Sequence, residues 1–369
     1  MTRRNRIAAC ALVLGGLVVV LTLTMWSDGM RSAPRNPNPP SASIPLAVLG
    51  DSNSQSYQDY KWFPATSNER GGPLRARTFQ WTEVLARVRG QELDLGPWVR
   101  WGRPGVVART REWFGLSGGR APEKEDYLYN FANSGAACKN LMGGRFRQGP
   151  RLVELMNEDP ERWTRGVVVI RIGINSWAGL LDLQAADPTA PELPATIAYC
   201  AGEIRKAVEM IHASHPSTRI LLIGIPNEAD DPANFDRWRS ARDTINIRIA
   251  LDNFNSAVRD IAVGNPRVAF FDDFAWFESR WGTRDASGKP SDKTFAFGPT
   301  LRITNTAGDE PGNLLLGDHH IGVVANALWA QTLVAYLKGA FGLPLTPISD
   351  EELLRFLDPL VSPPTAPGS

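Results

Sequence analysis

The sequence predicts a three-layer α/β/α domain built on a central parallel sheet of about five strands. Short, continuous apolar runs recur along the chain, helical patterns alternate with them, and no internal repeat interrupts the series. Strands buried on both faces read as unbroken apolar runs, and parallel strands need helical crossovers between them.

The first segment lies outside that domain. Residues 1–26 open with Arg3, Arg4 and Arg6 and continue as an apolar run from Ile7 to Trp26. About 20 apolar residues cross a bilayer, and positive charge before them keeps the start cytoplasmic. No clear small-x-small cleavage site follows, so the reading is an uncleaved membrane anchor rather than a cleaved signal segment. Either way the remainder is expected outside the cytoplasm: inner-membrane anchored and facing the periplasm, or secreted. Residues 27–45 carry the proline-rich stretch "RSAPRNPNPPSASIP" and read as an extended linker. The domain is expected over 46–345, and 346–369 reads as a C-terminal tail.

Within the domain the first run is Leu46–Leu49, followed by the helical pattern "TFQWTEVLARVRG". The second is Tyr127–Ala132 and the third Val167–Ile172. "IAYCAGEIRKAVEMIHAS" leads to the fourth, Ile220–Ile225, and "RSARDTINIRIALDNFNSAVRDIAV" to the fifth, Val268–Phe271. "VVANALWAQTLVAYLKG" closes the series. The chain's 369 residues accommodate one large domain, and its net charge of +1 gives no sign of a polyanion partner such as nucleic acid. Of three cysteines, Cys10 sits in the N-terminal apolar run. Cys200 fits the apolar face of its helix, so Cys138 and Cys200 are read as buried thiols in preference to a disulfide.

In an open parallel sheet, ligands bind beyond the carboxyl ends of the strands. The first run ends in Gly50-Asp51-Ser52, the second in "NFANSGAACKN" and the third in "RIGINSWAG"; the last helix is preceded by "LLLGDHHIG". Four polar or glycine-bearing corners are thereby expected on one rim. A serine hydroxyl needs an adjacent base to act as a nucleophile, and histidine suits that task near neutral pH. Only four histidines exist. His212 and His215 end a helix and read as surface residues, which leaves His319 and His320. His320 is the expected base, with Asp318 as its orienter. A metal reading of Asp318-His319-His320 is weaker, because no further His or Cys cluster completes a ligand set. No cofactor is expected. An oxyanion needs donors aimed at it, and the Ser52 N–H, the Gly135 N–H and the Asn175 side-chain amide are candidates. Taken singly, Gly135 and Asn175 also read as ordinary turn residues.

These residues resemble the conserved blocks of the SGNH hydrolases, the GDSL esterase/lipase superfamily. "LGDSNS" is similar to the first block, "NFANSGA" to the second, "IGINS" to the third and "GDHHIGVVANALWA" to the fifth, in that order along most of the chain. The resemblance implies a flavodoxin-like fold. It implies Ser52 as nucleophile, His320 as base, Asp318 as its partner, and Ser52, Gly135 and Asn175 as the oxyanion hole. There are departures. Ser176 stands where the family has Asp; position 317, where the family has its Asp, is Gly; and Ala325 replaces a glycine. The implied mechanism is acyl transfer from an ester through an acyl-enzyme; the expected envelope location and an aromatic, basic rim point to O-acyl, above all O-acetyl, groups on envelope or extracellular carbohydrate. Three alternatives stay open. One is a hydrolase of lipid or small acyl esters; another is an O-acetyltransferase with a sugar acceptor; the last is a non-catalytic glycan-binding protein, against which the intact Ser, His and Asn argue.

Two stretches fit no core element. One, 94–120, carries Trp98, Trp101 and Trp113 with Arg100, Arg103, Arg109 and Arg111. It reads equally as a substrate wall, stacking sugars on aromatics and pairing anions with arginines, or as a surface excursion anchored by its tryptophans. The other, 273–310, carries Trp276 and Trp281 and reads as a second part of the cleft or a long surface loop.

Overall fold

The computed structural model describes residues 42–282, 284–285, 289 and 293–362. The expected N-terminal anchor and most of the linker lie outside them. Among the described residues, no helix is long and apolar enough to cross a membrane.

The central sheet is parallel throughout. It has five strands in the order β2-β1-β5-β6-β7: β1 (Ile44–Gly50), β2 (Leu93–Asp94), β5 (Val167–Arg171), β6 (Arg219–Ile223) and β7 (Val268–Phe271). Alternate side chains of a strand point to opposite faces, and both faces are covered. Ala47, Leu49, Val168, Ile170, Ile220 and Leu222 pack into one core with the helices Glu192–Ser214 and Ala241–Arg259. Leu46, Val48, Val167, Val169, Leu221 and Ile223 pack into the other with the helices Trp81–Val88 and Val323–Phe341. That arrangement explains why these strands read as continuous apolar runs.

Several sequence expectations are corrected. The domain begins at Ile44, since Ile44 and Pro45 are already in β1. The expected strand Tyr127–Ala132 is displaced. β4 (Lys124–Tyr127) pairs antiparallel with β3 (Trp98–Trp101), and the chain then follows β1 with a single bridge, Val48 to Asn130. The Asn130 side chain accepts from Ala132 N–H and the Asn133 side chain donates to Phe131 O, so local bonds compete with the ladder there. The sheet edge goes instead to the short β2.

The expected tail is also part of the fold up to Val361. The helix Asp350–Val361 buries Leu353 and Leu357, and its Glu352 pairs with Arg89 at 2.5 Å. Ser349 caps it by accepting from Glu352 N–H. Trp276 and Trp281 are interior residues, not part of a cleft. They pack under a second sheet formed by β8 (Thr294–Phe297), β9 (Leu301–Ala307) and β10 (Asn313–Leu315). His215 is buried rather than on the surface, its Nε2 being 3.0 Å from Asn157 Oδ1.

Candidate active site

Gly50 ends β1, and a side chain there would meet the Arg171 carbonyl at 2.5 Å. Only glycine lets β1 and β5 stay paired at that position. The Gln148 side chain takes the place of a neighbouring strand, accepting from Gly50 N–H and donating to Gly50 O, both at 2.8 Å. The chain then turns at Asp51, whose carboxylate accepts from Asn53 N–H at 2.9 Å. Asp51 is buried, and burial pushes its pKa up to about 6 against the Asn53 hydrogen bond and the Arg171 charge.

Ser52 follows with 9% of its surface exposed. Its carbonyl accepts from Gln80 Nε2 at 3.2 Å, and Trp81 Nε1 donates to Asn53 O at 3.0 Å. Trp81 N–H also donates to Asn326 Oδ1, and Asn326 Nδ2 donates to Ile321 O at 2.8 Å, next to His320. The Tyr57 hydroxyl donates to the same carbonyl at 2.9 Å. These bonds tie the serine turn to the histidine loop through the start of one helix and the first turn of another.

The second and third corners meet the first. Phe131 N–H donates to Val48 O at 2.8 Å and Asn133 N–H to Gly50 O at 3.1 Å, which brings Gly135 to the end of β1. Gly135 has φ 72, and a Cβ there would meet nothing within 4 Å. Its backbone conformation, not crowding, is what asks for glycine. Asn175 lies in the short helix after β5 and donates one Nδ2 hydrogen to Ala136 O at 2.9 Å. An amide nitrogen carries two hydrogens, so a second remains. The Ser176 hydroxyl accepts from Cys138 N–H at 3.1 Å. Cys138 is bonded to Cys200 in a disulfide, which corrects the expectation of two thiols. Both sulfurs lie in the same core, on facing elements of the Gly135 loop and the Glu192–Ser214 helix.

His320 sits in the loop after β10. Its Nδ1 is 3.0 Å from the Asp318 main-chain oxygen and 3.4 Å from Asp318 Oδ1. The two-residue spacing thus brings the carbonyl closer to the ring than the carboxylate. Asp318 Oδ2 is held by Arg70, through its backbone N–H at 2.9 Å and through its guanidinium. Burial works against the Asp318 charge. The hydrogen bond and charge of His320, with the charge of Arg70, prevail and hold its pKa well below the ordinary range. His319 points elsewhere, its Nδ1 lying 3.0 Å from Asp231 Oδ1.

Ser52 Oγ, Ser52 N–H, Gly135 N–H and His320 Nε2 make no hydrogen bond to any described residue. Ser52 and His320 are accordingly not hydrogen-bonded to each other in this structure. Apo sites commonly hold such pairs long and tighten them on binding substrate. No group of three His, Cys, Asp or Glu residues suited to a metal occurs among the described residues.

The arginine–tryptophan stretch divides. Trp101 is a core residue and Arg103 is buried, so neither presents the open face expected of a substrate wall. Trp98 and Trp113 are exposed, at 42% and 80%. Arg100 is exposed too, pairing with Glu123 at 3.1 Å. Sequence reasoning missed Arg70, Gln80, Gln148 and Asn326, which belong to no spaced motif. It also missed Glu228, in the loop after β6. Burial and the charges of Asp231 and Asp51 push Glu228 up to about 7, with His319 opposing.

No family model and no curated protein matches the chain. Among solved structures it is similar to an extracellular lipase from Streptomyces rimosus, at 16% identity over 67% of this chain and 86% of that one, TM-score 0.37. It is similar to a lipase from a goat rumen metagenome, at 14% identity over 68% and 90%, TM-score 0.32. An acetylxylan esterase from Geobacillus stearothermophilus overlaps at 15% identity over 64% and 80%, TM-score 0.30. Overlaps this small carry no argument about activity, which must rest on this chain's own residues.

Proposed function

We propose that this chain is an SGNH-type serine esterase that cleaves O-acyl esters through an acyl-enzyme. One observation carries the reading: the hydroxyl, the two backbone N–H groups and the imidazole nitrogen that the chemistry needs have no internal partner, although everything around them is tied down. Gly135 and Asn175 are exposed and His320 is half-buried, so these groups reach the surface beyond the strand ends, where an open parallel sheet binds its ligands.

The steps follow from these roles. Ser52 Oγ attacks the ester carbonyl as its proton passes to His320 Nε2. The carbonyl oxygen becomes an oxyanion facing Ser52 N–H, Gly135 N–H and the second Asn175 amide hydrogen. Asp318 takes the Nδ1–H through its carbonyl and carboxylate and stabilises the imidazolium. The intermediate collapses, His320 returns the proton to the leaving alcohol, and water assisted by His320 resolves the acyl-serine to a free acid.

The finer reading is an O-acetyl ester on envelope or extracellular carbohydrate, acted on outside the cytoplasm. The Cys138–Cys200 disulfide supports an oxidising compartment, as does the apolar run Ile7–Trp26. Exposed Trp98 and Trp113, with Arg100, support a carbohydrate-facing rim.

The test is hydrolysis of p-nitrophenyl acetate, butyrate and octanoate by the full chain in detergent. Ser52→Ala and His320→Ala are each expected to lower kcat by about a thousandfold or more, while His319→Ala stays within a few fold. Acetate is expected to be the preferred chain length. Undiminished turnover in Ser52→Ala would rule the mechanism out.

A further inference from the structure

Arg70 belongs to no motif, yet its guanidinium contacts both Asp318 and His320. Its side chain is 2% exposed. The guanidinium lies over the Phe63 ring at 4.2 Å, with Tyr57 at 5.6 Å. Nη1 touches Asp318 Oδ2 and lies 2.8 Å from His320 Nδ1. The backbone is built for this. Arg70 has φ 58, and Gly71 and Gly72 continue at φ 100 and 48, a turn that brings both the Arg70 N–H and the side chain to Asp318. Non-glycine residues avoid that region unless the surroundings hold them there.

A guanidinium donates only and keeps its charge at any working pH. A proton on Nδ1 therefore faces two oxygens that attract it, the Asp318 carbonyl and carboxylate, and a guanidinium N–H at 2.8 Å that repels it and, being a donor only, competes with it for the Nδ1 lone pair. The Tyr57 hydroxyl is engaged with Ile321 O, and Asp231 is engaged with His319.

We infer that Arg70 is a positioning residue that fixes the Asp318 carboxylate and opposes the charged form of His320, setting how far into acid the base stays neutral. The inference rests on His320 being the base of the proposed esterase. Removing the cation should stabilise the imidazolium. The acid limb of kcat/KM then moves up, not down.

The experiment compares wild type, Arg70→Met and Arg70→Lys as full chains in detergent. In Arg70→Met the acid limb on p-nitrophenyl acetate is expected to rise by about one pH unit. At the plateau kcat is expected to fall about tenfold with little change in KM. Arg70→Lys restores the acid limb more than the plateau, because it returns charge without the fork. A purely structural arginine would lower the unfolding midpoint and leave the limb in place, which overturns the inference. Histidine ring labelling keeps the two readings apart, since the chain has only four histidines. If no ester is turned over, the esterase reading fails, but the His320 titration still reports on Arg70. An upward shift of that titration in Arg70→Met supports the coupling; an unmoved titration overturns it.

Discussion

Some buried carboxyls in this protein accept only backbone N–H groups, and Glu83 shows what such a residue does to stability. It is fully buried; Oε2 accepts from Tyr57 N–H and Gln80 N–H at 2.8 Å each, and Oε1 from Gln58 N–H at 3.3 Å. It thus holds the segment after Ser52 against the start of the Trp81–Val88 helix. Burial pushes its pKa up from 4.5 to about 7, and the Gln80 and Tyr57 bonds only partly oppose this. The folded state keeps the proton longer than the unfolded one. The stability from this group is full below about 4.5 and is lost as pH rises through about 7. Relative to Glu83→Gln, the wild type is expected to lose stability between pH 5 and 8, by at most about 1.4 kcal/mol per pH unit. Urea unfolding of both proteins across that range checks it. Asp51 also carries a raised pKa, but it is present in both proteins and cancels. Parallel stability curves would show that Glu83 keeps its charge in the fold.

Among the elements, those that bury one continuous stripe were legible in the sequence and those set by a distant partner were not. β1, β5, β6 and β7 announce themselves as apolar runs, and Cys200, Ile204, Val208 and Ile211 mark a helix face. Ser52 and Asn175 are nominated by their place within a few residues of β1 and β5, Gly135 by its glycine-bearing corner and His320 by the small pool of histidines. β2 was invisible: it has two residues and owes its place to β1. The run Tyr127–Ala132 misled because asparagine side chains bond its own backbone. The helix Asp350–Val361 is hard to see in the sequence because proline-bearing stretches flank it and it buries only Leu353 and Leu357. Gln148 shows the same limit at the site. Nothing nearby in sequence says that it must satisfy Gly50, 98 positions away. Removing it leaves a buried N–H and a buried carbonyl at the end of β1 without partners. Gln148→Ala is expected to destabilise the fold by about 1–3 kcal/mol and to lower kcat, because Gly50 lies two residues from Ser52. Urea unfolding and ester turnover measured on one preparation check both effects. A stable variant of normal activity would mean that water replaces the amide fully.

At the scale of the whole molecule, the candidate site is assembled from loops far apart in sequence, with Gly135 83 positions beyond Ser52, Asn175 a further 40 and His320 a further 145, so long-range ties hold it. Arg120, fully buried, donates to the carbonyls of Trp101, Lys124, Tyr127 and Asn130 and so joins the 94–120 stretch to the second corner. The stretch is therefore structural at its base, whatever its exposed tryptophans meet. The Cys138–Cys200 disulfide is the covalent tie of this kind. It joins the Gly135 loop to the Glu192–Ser214 helix across a sequence separation of 62. Closing a loop of that size restricts the unfolded chain and stabilises the fold by about 4 kcal/mol in the chain-entropy account. Cys138→Ser combined with Cys200→Ser is expected to lower the unfolding free energy by about 2–4 kcal/mol. A reductant should lower the wild type to the same level and leave the double variant where it is. Ester turnover should fall with the same dependence on reductant, because Cys138 lies three residues beyond Gly135 and the Ser176 bond to its N–H ties it to the Asn175 corner. A wild type whose unfolding ignores the reductant would mean that the two sulfurs stay reduced in the purified protein, and the support they lend to an oxidising compartment would go with them.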